Sequence, residues 1–154
     1  YGAKKYKRMN QFIYITICVC ILGGVLVYSG IFAYGREIIR IFGVDSKNIE
    51  FAYKMILIYC IGSPIIGIIF TMSGYYQAIG KNIYANIISI GRGFVFQFIF
   101  TVVLPPFIGT TGVFLSLPLA ELITFIILGV IVLIESHKKS ITLLKNKSIL
   151  INVP

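Results

Sequence analysis

The sequence predicts an all-α membrane protein with four transmembrane helices. Its 154 residues are 58% hydrophobic and only 12% charged, with a mean hydropathy of +0.94. A soluble domain carries about 25% charged residues, so this composition leaves too little polar surface for a water-soluble fold. Four long apolar runs of about twenty residues or more, the length that crosses the hydrocarbon core, divide the chain.

The apolar runs place the spans at about 12–33, 55–79, 83–104 and 112–134. We therefore expect a cytosolic loop at 1–11, a four-helix transmembrane segment at 12–134 and a basic cytosolic tail at 135–154. The lipid bilayer is the expected surrounding of the middle segment.

The first span, Phe12–Ala33, contains no charged residue and follows a basic stretch. After it, Arg36–Phe42 alternates charged and apolar residues, which predicts a short separate amphipathic helix at the membrane interface. Gly43 is expected to end this helix, and Asp45 or Ser46 to cap the next one through a side-chain hydrogen bond. A simpler interpretation of the charges is a solvated turn with local ion pairs.

The second span, Met55–Ile79, contains Pro64 and a row of small residues. Small residues spaced by three or four lie on one helix face and let two backbones approach closely in lipid. The row is Ser63, Gly67, Thr71, Gly74 and Ala78. Pro64 removes one helical hydrogen bond, so a kink is expected near Cys60, as a candidate hinge. A turn at Gly80-Lys81-Asn82 should follow the span.

The third span is expected to stop at Pro105-Pro106, and the fourth contains Pro118, a second candidate hinge. Both spans carry small residues in steps of four, as expected for helix packing faces. These residues are Ala85, Ser89 and Gly93 in the third span and Gly112, Ser116, Ala120 and Thr124 in the fourth.

Basic residues indicate the orientation, because they are enriched on the cytosolic side of membrane spans. One side of a four-span arrangement holds nine: Lys4, Lys5, Lys7, Arg8, Lys81, Lys138, Lys139, Lys145 and Lys147. The other side holds four: Arg36, Arg40, Lys47 and Lys54. Both termini are therefore predicted to be cytosolic. These flanks account for the net charge of +9, so no nucleic acid is expected as a partner.

Arg92 and Glu121 lie inside predicted spans, where ionisable residues are functional candidates. Arg92 lies roughly 14 Å and Glu121 roughly 20 Å from the cytosolic helix ends at 1.5 Å per residue, a difference that an arginine side chain can bridge. A structural interpretation is an Arg92–Glu121 ion pair, or separate bonds to backbone and hydroxyl groups, that holds two helices together. The functional interpretation is that Glu121 faces a wet cavity and binds a proton or another cation.

The sequence contains no nucleophile–base pair, phosphate-binding loop or metal-ligand spacing, so we expect neither an enzyme nor a metal or organic cofactor. Cys18, Cys20 and Cys60 fall within apolar runs. Cys18 and Cys20 point about 200° apart on a helix, so they cannot bind one metal ion from one helix face. All three cysteines are therefore expected to be buried thiols.

Four phrases, in this order, resemble the multidrug and toxic compound extrusion (MATE) family. They are YGAKKYKR at 1–8, REIIRIFGVD at 36–45, GYYQAIGK at 74–81 and LPLAE at 117–121. The resemblance extends from residue 1 to about residue 135.

This resemblance implies twelve helices in two six-helix lobes, and export of toxic organic, often cationic, compounds by alternating access in exchange for protons or sodium. The chain would form the last four helices of the second lobe. Its partners would be small-molecule drugs and the missing N-terminal part of the same transporter, in the bacterial inner (cytoplasmic) membrane. Some sodium-coupled members carry an acid in the helix that matches Met55–Ile79. This sequence has Ser63-Pro64 there and no acid, so a sodium site of that type is not expected.

The polar candidates for a substrate or ion pathway are Gln77, Arg92, Gln97 and Glu121. Coupling would depend on acids in the missing part or on Glu121. Two other functions stay open. One is a flippase for lipid-linked sugars from the same superfamily, which needs a cationic cavity for a pyrophosphate. The other is a truncated gene product or assembly partner without transport of its own.

Overall fold

The computed structural model of the chain describes the backbone of residues 6–151 and the side chains of residues 8–137. Four stretches of it are long and apolar enough to cross a membrane: Arg8–Ile41, Ser46–Ala78, Asn82–Ile108 and Thr110–His137. No β-strand occurs within the described backbone. The predicted class, an all-α membrane protein with four spans, is therefore confirmed. The predicted loop 1–11 and tail 135–154 lie partly outside the described residues.

Seven α-helices follow one another in the described backbone. They are α1 (Tyr6–Ile41), α2 (Ile49–Cys60), α3 (Ser63–Ala78), α4 (Asn82–Ile90), α5 (Gln97–Val103), α6 (Pro105–Ile108) and α7 (Thr110–Ile151). A 3-10 turn at Ser46–Asn48 precedes α2, and a π-helical segment at Gly91–Phe96 joins α4 to α5. The second and third spans are thus built from several helical pieces, whereas the first and fourth are continuous.

The first helix continues through the region that was expected to form a separate amphipathic helix. That expectation is wrong, because α1 runs without interruption to Ile41 and ends only before Gly43, whose φ is +76°. The side-chain cap expected at Asp45 is also absent. The Asn48 N–H donates instead to the backbone oxygen of Asp45 at 2.8 Å.

The C-terminal end of α1 is joined to α2 by polar and aromatic contacts. The Arg36 Nε donates to Glu50 Oε1 at 2.6 Å, and the guanidinium carbon lies 4.2 Å from the centre of the Tyr53 ring. The Tyr53 hydroxyl donates to the Phe32 carbonyl oxygen at 2.7 Å. The Arg36 and Glu50 side chains are 48% and 64% exposed, so the expected local ion pair is present, but it joins two helices and does not lie in a turn.

The second span is broken where a kink was expected. Helix α2 ends at Cys60 and α3 begins at Ser63, with Pro64 in its first turn. Proline fits the first turn of a helix because its missing N–H has no intrahelical partner there. The expectation of one kinked helix is therefore corrected to two helices separated by Ile61 and Gly62.

Glycines and prolines mark the other boundaries. Gly80, with a φ of +78°, ends the turn after α3 at the predicted place. Pro105 does not simply end the third span, because it begins the short helix α6, which closes at Gly109 with a φ of +63°. Pro118 lies inside α7, which continues on both sides of it.

The centre of the bundle lies between α3, α4 and α7. The core side chains of this cluster are Ile69, Tyr76, Ala85, Ile88, Leu128 and Ile131. A smaller cluster of Ile39, Ile49 and Tyr53 lies where the C-terminal end of α1 meets α2. Most side chains of α1 remain exposed, so this helix lies at the margin of the described bundle.

Small residues form the contact between α1 and α3. The Ser63 hydroxyl donates to the Gly24 carbonyl oxygen at 2.9 Å, and Thr71 Oγ1 lies 3.9 Å from Cys20 Sγ. A Cβ added to Gly67 would collide with Cys20. Three members of the predicted row therefore face α1.

The other predicted packing residues divide into two groups. Ala85 and Ala120 are fully buried, Ser89 Oγ lies 2.9 Å from Ser73 Oγ, and a Cβ on Gly112 would lie 2.8 Å from the Leu104 carbonyl carbon. In contrast, Gly74 and Gly93 are exposed, and a Cβ on either would have nothing within 4 Å among the described residues. Spacing identified a helix face at these two positions, but no described helix packs against it.

Candidate functional site

Glu121 is the one ionisable side chain that the described part of the chain buries completely. Its exposed fraction is 0%, and neither carboxyl oxygen has a hydrogen-bond partner. Buried polar groups in folded proteins are nearly always hydrogen-bonded, and in a membrane an unpaired ionisable group is especially costly. This carboxyl is therefore the leading candidate for a functional group.

The carboxyl lies against the break between α2 and α3. A Cβ added to Gly62 would overlap Glu121 Oε2 and would lie 3.0 Å from its Cδ and 3.6 Å from the Pro118 Cα. Only glycine leaves room for a carboxyl at this point. Helix α7 thus places the Glu121 carboxyl directly against the backbone of the break.

The break leaves backbone groups without partners. Pro64 has no N–H, so the Cys60 carbonyl loses its helical donor. Within the described backbone, no hydrogen bond uses the N–H of Gly62 or the carbonyl of Ile61, whereas the Gly62 carbonyl accepts from Ile65 and Ile66. A free donor and a free acceptor therefore lie next to the Glu121 carboxyl.

Arg92 does not pair with Glu121, so the predicted ion pair is wrong. Its guanidinium carbon lies 4.5 Å from the centre of the Phe70 ring on α3, and its buried Nε has no partner. No ion pair within 4.0 Å joins the two residues. Arg92 lies in the π-helical segment, whose wider turn changes the direction of side chains from that of an α-helix.

Gln97 belongs to a hydrogen-bonded group on α5 and α7. Its Nε2 donates to Ser116 Oγ at 3.1 Å, and Thr101 Oγ1 donates to the same oxygen at 3.1 Å. Ser116 in turn donates to the Val113 carbonyl oxygen at 2.6 Å. Gln97 Oε1 is buried without a partner. Thr101 was not among the predicted residues, although its spacing of four from Gln97 could have revealed it.

Gln77, the remaining predicted polar residue, does not join this site. It is exposed near the end of α3. Fifteen residues separate it from Gly62, which corresponds to roughly 22 Å along a helix axis. The structure therefore brings Glu121 to the break but leaves Gln77 at the opposite end of α3.

A second polar cluster lies at the C-terminal end of α3, the end that contains Gln77. Lys81 forms an ion pair with Glu135 of α7, and the Tyr76 and Tyr84 rings pack edge to face at 5.6 Å. A cavity of about 230 Å³ adjoins Glu135 between α3 and α7. The sequence provided no signal for this pairing, because the two charges are 54 residues apart.

Metal-binding geometry is absent from the described residues, where no three His, Cys, Asp or Glu side chains lie together. The three cysteines are free, and each is half-buried, whereas buried thiols had been expected. The polar groups at Glu121 are its carboxyl and the adjacent backbone of the break.

The comparisons with known proteins agree with this membrane fold. A family model, MatE, matches residues 1–103, which is more than half of the chain. The chain belongs to the MatE family. This is the multidrug and toxic compound extrusion family that the sequence resembles, and its members are transporters. The family match ends before α6 and α7, whereas the resemblance in sequence was traced to about residue 135.

A solved structure described as protein A is 26% identical to this MatE chain and superposes with a TM-score of 0.77. The match covers 85% of this chain and 29% of that one. The chain thus spans less than a third of the length of the structure that it matches. No curated protein matches the chain.

Proposed function

We propose that this MatE chain is part of an antiporter that exports toxic organic, often cationic, compounds by alternating access. A gradient of protons or sodium would drive the export. The observation that carries the proposal is the Glu121 carboxyl, which is fully buried, unpartnered and in contact with a broken transmembrane helix.

Burial without a partner favours a role beyond packing. A polar group moved out of water without a replacement hydrogen bond costs several kcal/mol, about 2–7 depending on the reference state. An apolar residue at the same position would avoid that cost. Retaining a carboxyl here is therefore best explained by a ligand that binds to it during transport.

The broken helix supports the same function. Transporters commonly place ion and substrate sites at discontinuous membrane helices, where unwound backbone groups become available as ligands. Here the break at Ile61-Gly62 provides such groups, and Glu121 is next to them. The unpartnered Arg92 Nε and Gln97 Oε1 add two further polar atoms inside the helical spans.

A lipid-linked sugar flippase has less support. Recognition of a pyrophosphate requires several cationic donors in one cavity. Arg92 is the single arginine or lysine between Lys81 and Lys138, and its guanidinium lies over Phe70. A protein without transport activity would leave the buried carboxyl without an explanation.

The first prediction is that Glu121→Gln abolishes gradient-driven export, because glutamine keeps the shape but cannot bind or release a cation. Export of a permanently cationic dye is measured in everted membrane vesicles that contain the whole transporter, after a proton or sodium gradient is imposed. Immunoblotting confirms equal amounts of protein in the membrane.

The matched control is Glu50→Gln, which also removes a carboxylate but at an exposed position on α2. This variant should export at the wild-type rate. Wild-type export by the Glu121→Gln protein would reduce Glu121 to a packing residue and remove the support for this proposal.

A further inference from the structure

We propose that Glu121 and the break at Ile61-Gly62 form a proton-binding site, in which the protonated carboxyl bonds both free backbone groups of the break. The proposal rests on the proposed function, because it names the coupling ion and the atoms that hold it. Three observations carry it: the free groups of the break, their contact with the carboxyl and the lack of space between them.

The free groups of the break match a protonated carboxyl. A carboxylic acid presents one O–H donor and one free acceptor oxygen, whereas a carboxylate presents acceptors alone. The break offers one acceptor, the Ile61 carbonyl, and one donor, the Gly62 N–H, neither of which is used by a backbone hydrogen bond. Only the acid can satisfy both groups at once.

The contact places these groups side by side. A Cβ on Gly62 would overlap Glu121 Oε2, so the carboxyl lies against the backbone that carries the Gly62 N–H and the preceding carbonyl. Gly62 and Glu121 are both buried. Neither carboxyl oxygen has a hydrogen-bond partner among the described residues, so we expect the two hydrogen bonds to form through a small shift of α7 against the break.

The close contact between the carboxyl and the break favours a proton over sodium as the bound ion. Unwound helices in transporters also coordinate sodium through backbone carbonyls, so the free carbonyl alone does not choose between the two ions. A sodium ion would have to lie between the carboxyl and the backbone. Because Oε2 is in contact with Gly62, a sodium ion could enter only if α7 and the break moved apart, whereas a proton needs no such separation.

The ionisable groups around the site interact with Glu121 through space but form no hydrogen bond to its carboxyl. On α2 and on the π-helical segment, Cys60 and Arg92 are the ionisable groups near enough to interact with Glu121. Arg92 is directed to Phe70. On α3, the Ser63 hydroxyl already donates to Gly24. The break offers the free backbone groups with which the carboxyl is in contact.

Loss of the proton changes the contact. The carboxylate would then place its negative charge against the Ile61 carbonyl oxygen, and one of the two hydrogen bonds could not form. The ionised form is thus expected to separate α7 from the break. Proton binding and the packing of α7 are linked through this one contact.

Infrared difference spectroscopy of the whole transporter in lipid tests the proposal. We expect a carboxylic-acid C=O stretching band that disappears when the pH is raised, that is missing in Glu121→Gln, and that does not change when sodium is added at constant pH. Glu121→Asp, which keeps the acid, should retain a pH-dependent band at a shifted frequency. The aspartate variant shows whether the band is missing in Glu121→Gln because the acid is lost or because that protein is misfolded.

Gly62→Ala tests the backbone partners. Its added Cβ would displace the carboxyl from the break, so the band should move to the higher frequency of an acid without hydrogen bonds. Gly74→Ala is the matched control in the same span, because a Cβ there has no neighbour within 4 Å among the residues that the structure describes. It should leave the band unchanged.

The outcomes separate this proposal from the proposed function. A missing band in the wild-type protein, or a band that sodium removes at constant pH, overturns the proton site even if Glu121→Gln abolishes export. An unchanged frequency in Gly62→Ala overturns the assignment of the break as partner. A pH-dependent Glu121 band together with normal export by Glu121→Gln supports the site and contradicts the proposed function.

Discussion

Gly24 and Gly67 are the residues through which α1 and α3 touch most closely. A Cβ on Gly24 would lie 2.6 Å from the Pro64 Cα, and one on Gly67 would lie 3.3 Å from the Cys20 Cα while colliding with its Cβ. Membrane helices associate mainly through close van der Waals packing, since lipid removes the hydrophobic driving force between them. The two glycines therefore contribute stability by leaving room for the neighbouring backbone.

Gly67→Ala should lower the free energy of unfolding by about 1–3 kcal/mol, the usual cost of adding a methyl group to a packed contact. Thermal unfolding of the purified transporter in detergent measures the change. Gly23→Ala on α1 is the control, because a Cβ there has no neighbour within 4 Å. Equal stability of the two variants would show that the α1–α3 contact is looser than the structure indicates.

The single residues of the site were only partly predictable. Glu121 and Gln97 could be identified because polar residues stand out in an apolar run. Gly62 could not, since an unremarkable glycine becomes important only when α7 places a carboxyl on it. The Arg92–Glu121 pair was wrong because depth along a helix does not determine the direction of a side chain around it.

At the level of elements, the second span is divided by its proline. Pro64 starts α3, and the preceding two residues, Ile61 and Gly62, lie outside both helices. The broken segment contacts α7, whose own Pro118 lies 3.6 Å from the Cβ position of Gly62. Both predicted hinge prolines therefore lie near the same carboxyl, and their role as hinges stays a prediction.

Pro64→Ala should join α2 to α3, because it restores an N–H that can donate to the Cys60 carbonyl and removes the ring that clashes with it. Hydrogen–deuterium exchange measured by mass spectrometry should show slower exchange in peptides that cover residues 58–66. Pro106→Ala, in the first turn of α6, should leave those peptides unchanged. Unaltered exchange in Pro64→Ala would mean that contacts with α7, and not the proline, hold the break open.

At the level of the whole molecule, the described contacts agree with an even number of membrane crossings between Lys81 and Glu135. These two residues form an ion pair although α4, α5, α6 and most of α7 lie between them in the chain. The turn before α4 and the distal part of α7 therefore lie on one side of the bundle. The distribution of basic residues predicts that this side is cytosolic.

Labelling of single introduced cysteines tests this orientation. Asn82→Cys should react with a membrane-impermeant maleimide only in everted vesicles, and Asp45→Cys only in right-side-out vesicles. The unmodified protein is the blank, since its Cys18, Cys20 and Cys60 lie inside α1 and α2. The reverse pattern would place the termini outside and contradict the assignment based on basic residues.

The number of spans, the turns at Gly43 and Gly80 and the presence of a buried acid follow from the sequence, because hydropathy and the backbone preferences of glycine act locally. The tertiary structure alone decided that the second span breaks instead of bending, that Arg92 is directed to Phe70 and that Glu121 lies on Gly62. These features depend on how each helix is rotated and on which helix lies beside it. The rotation of each helix and the identity of its neighbours are set by packing between residues far apart in the chain. A local sequence pattern therefore cannot predict them.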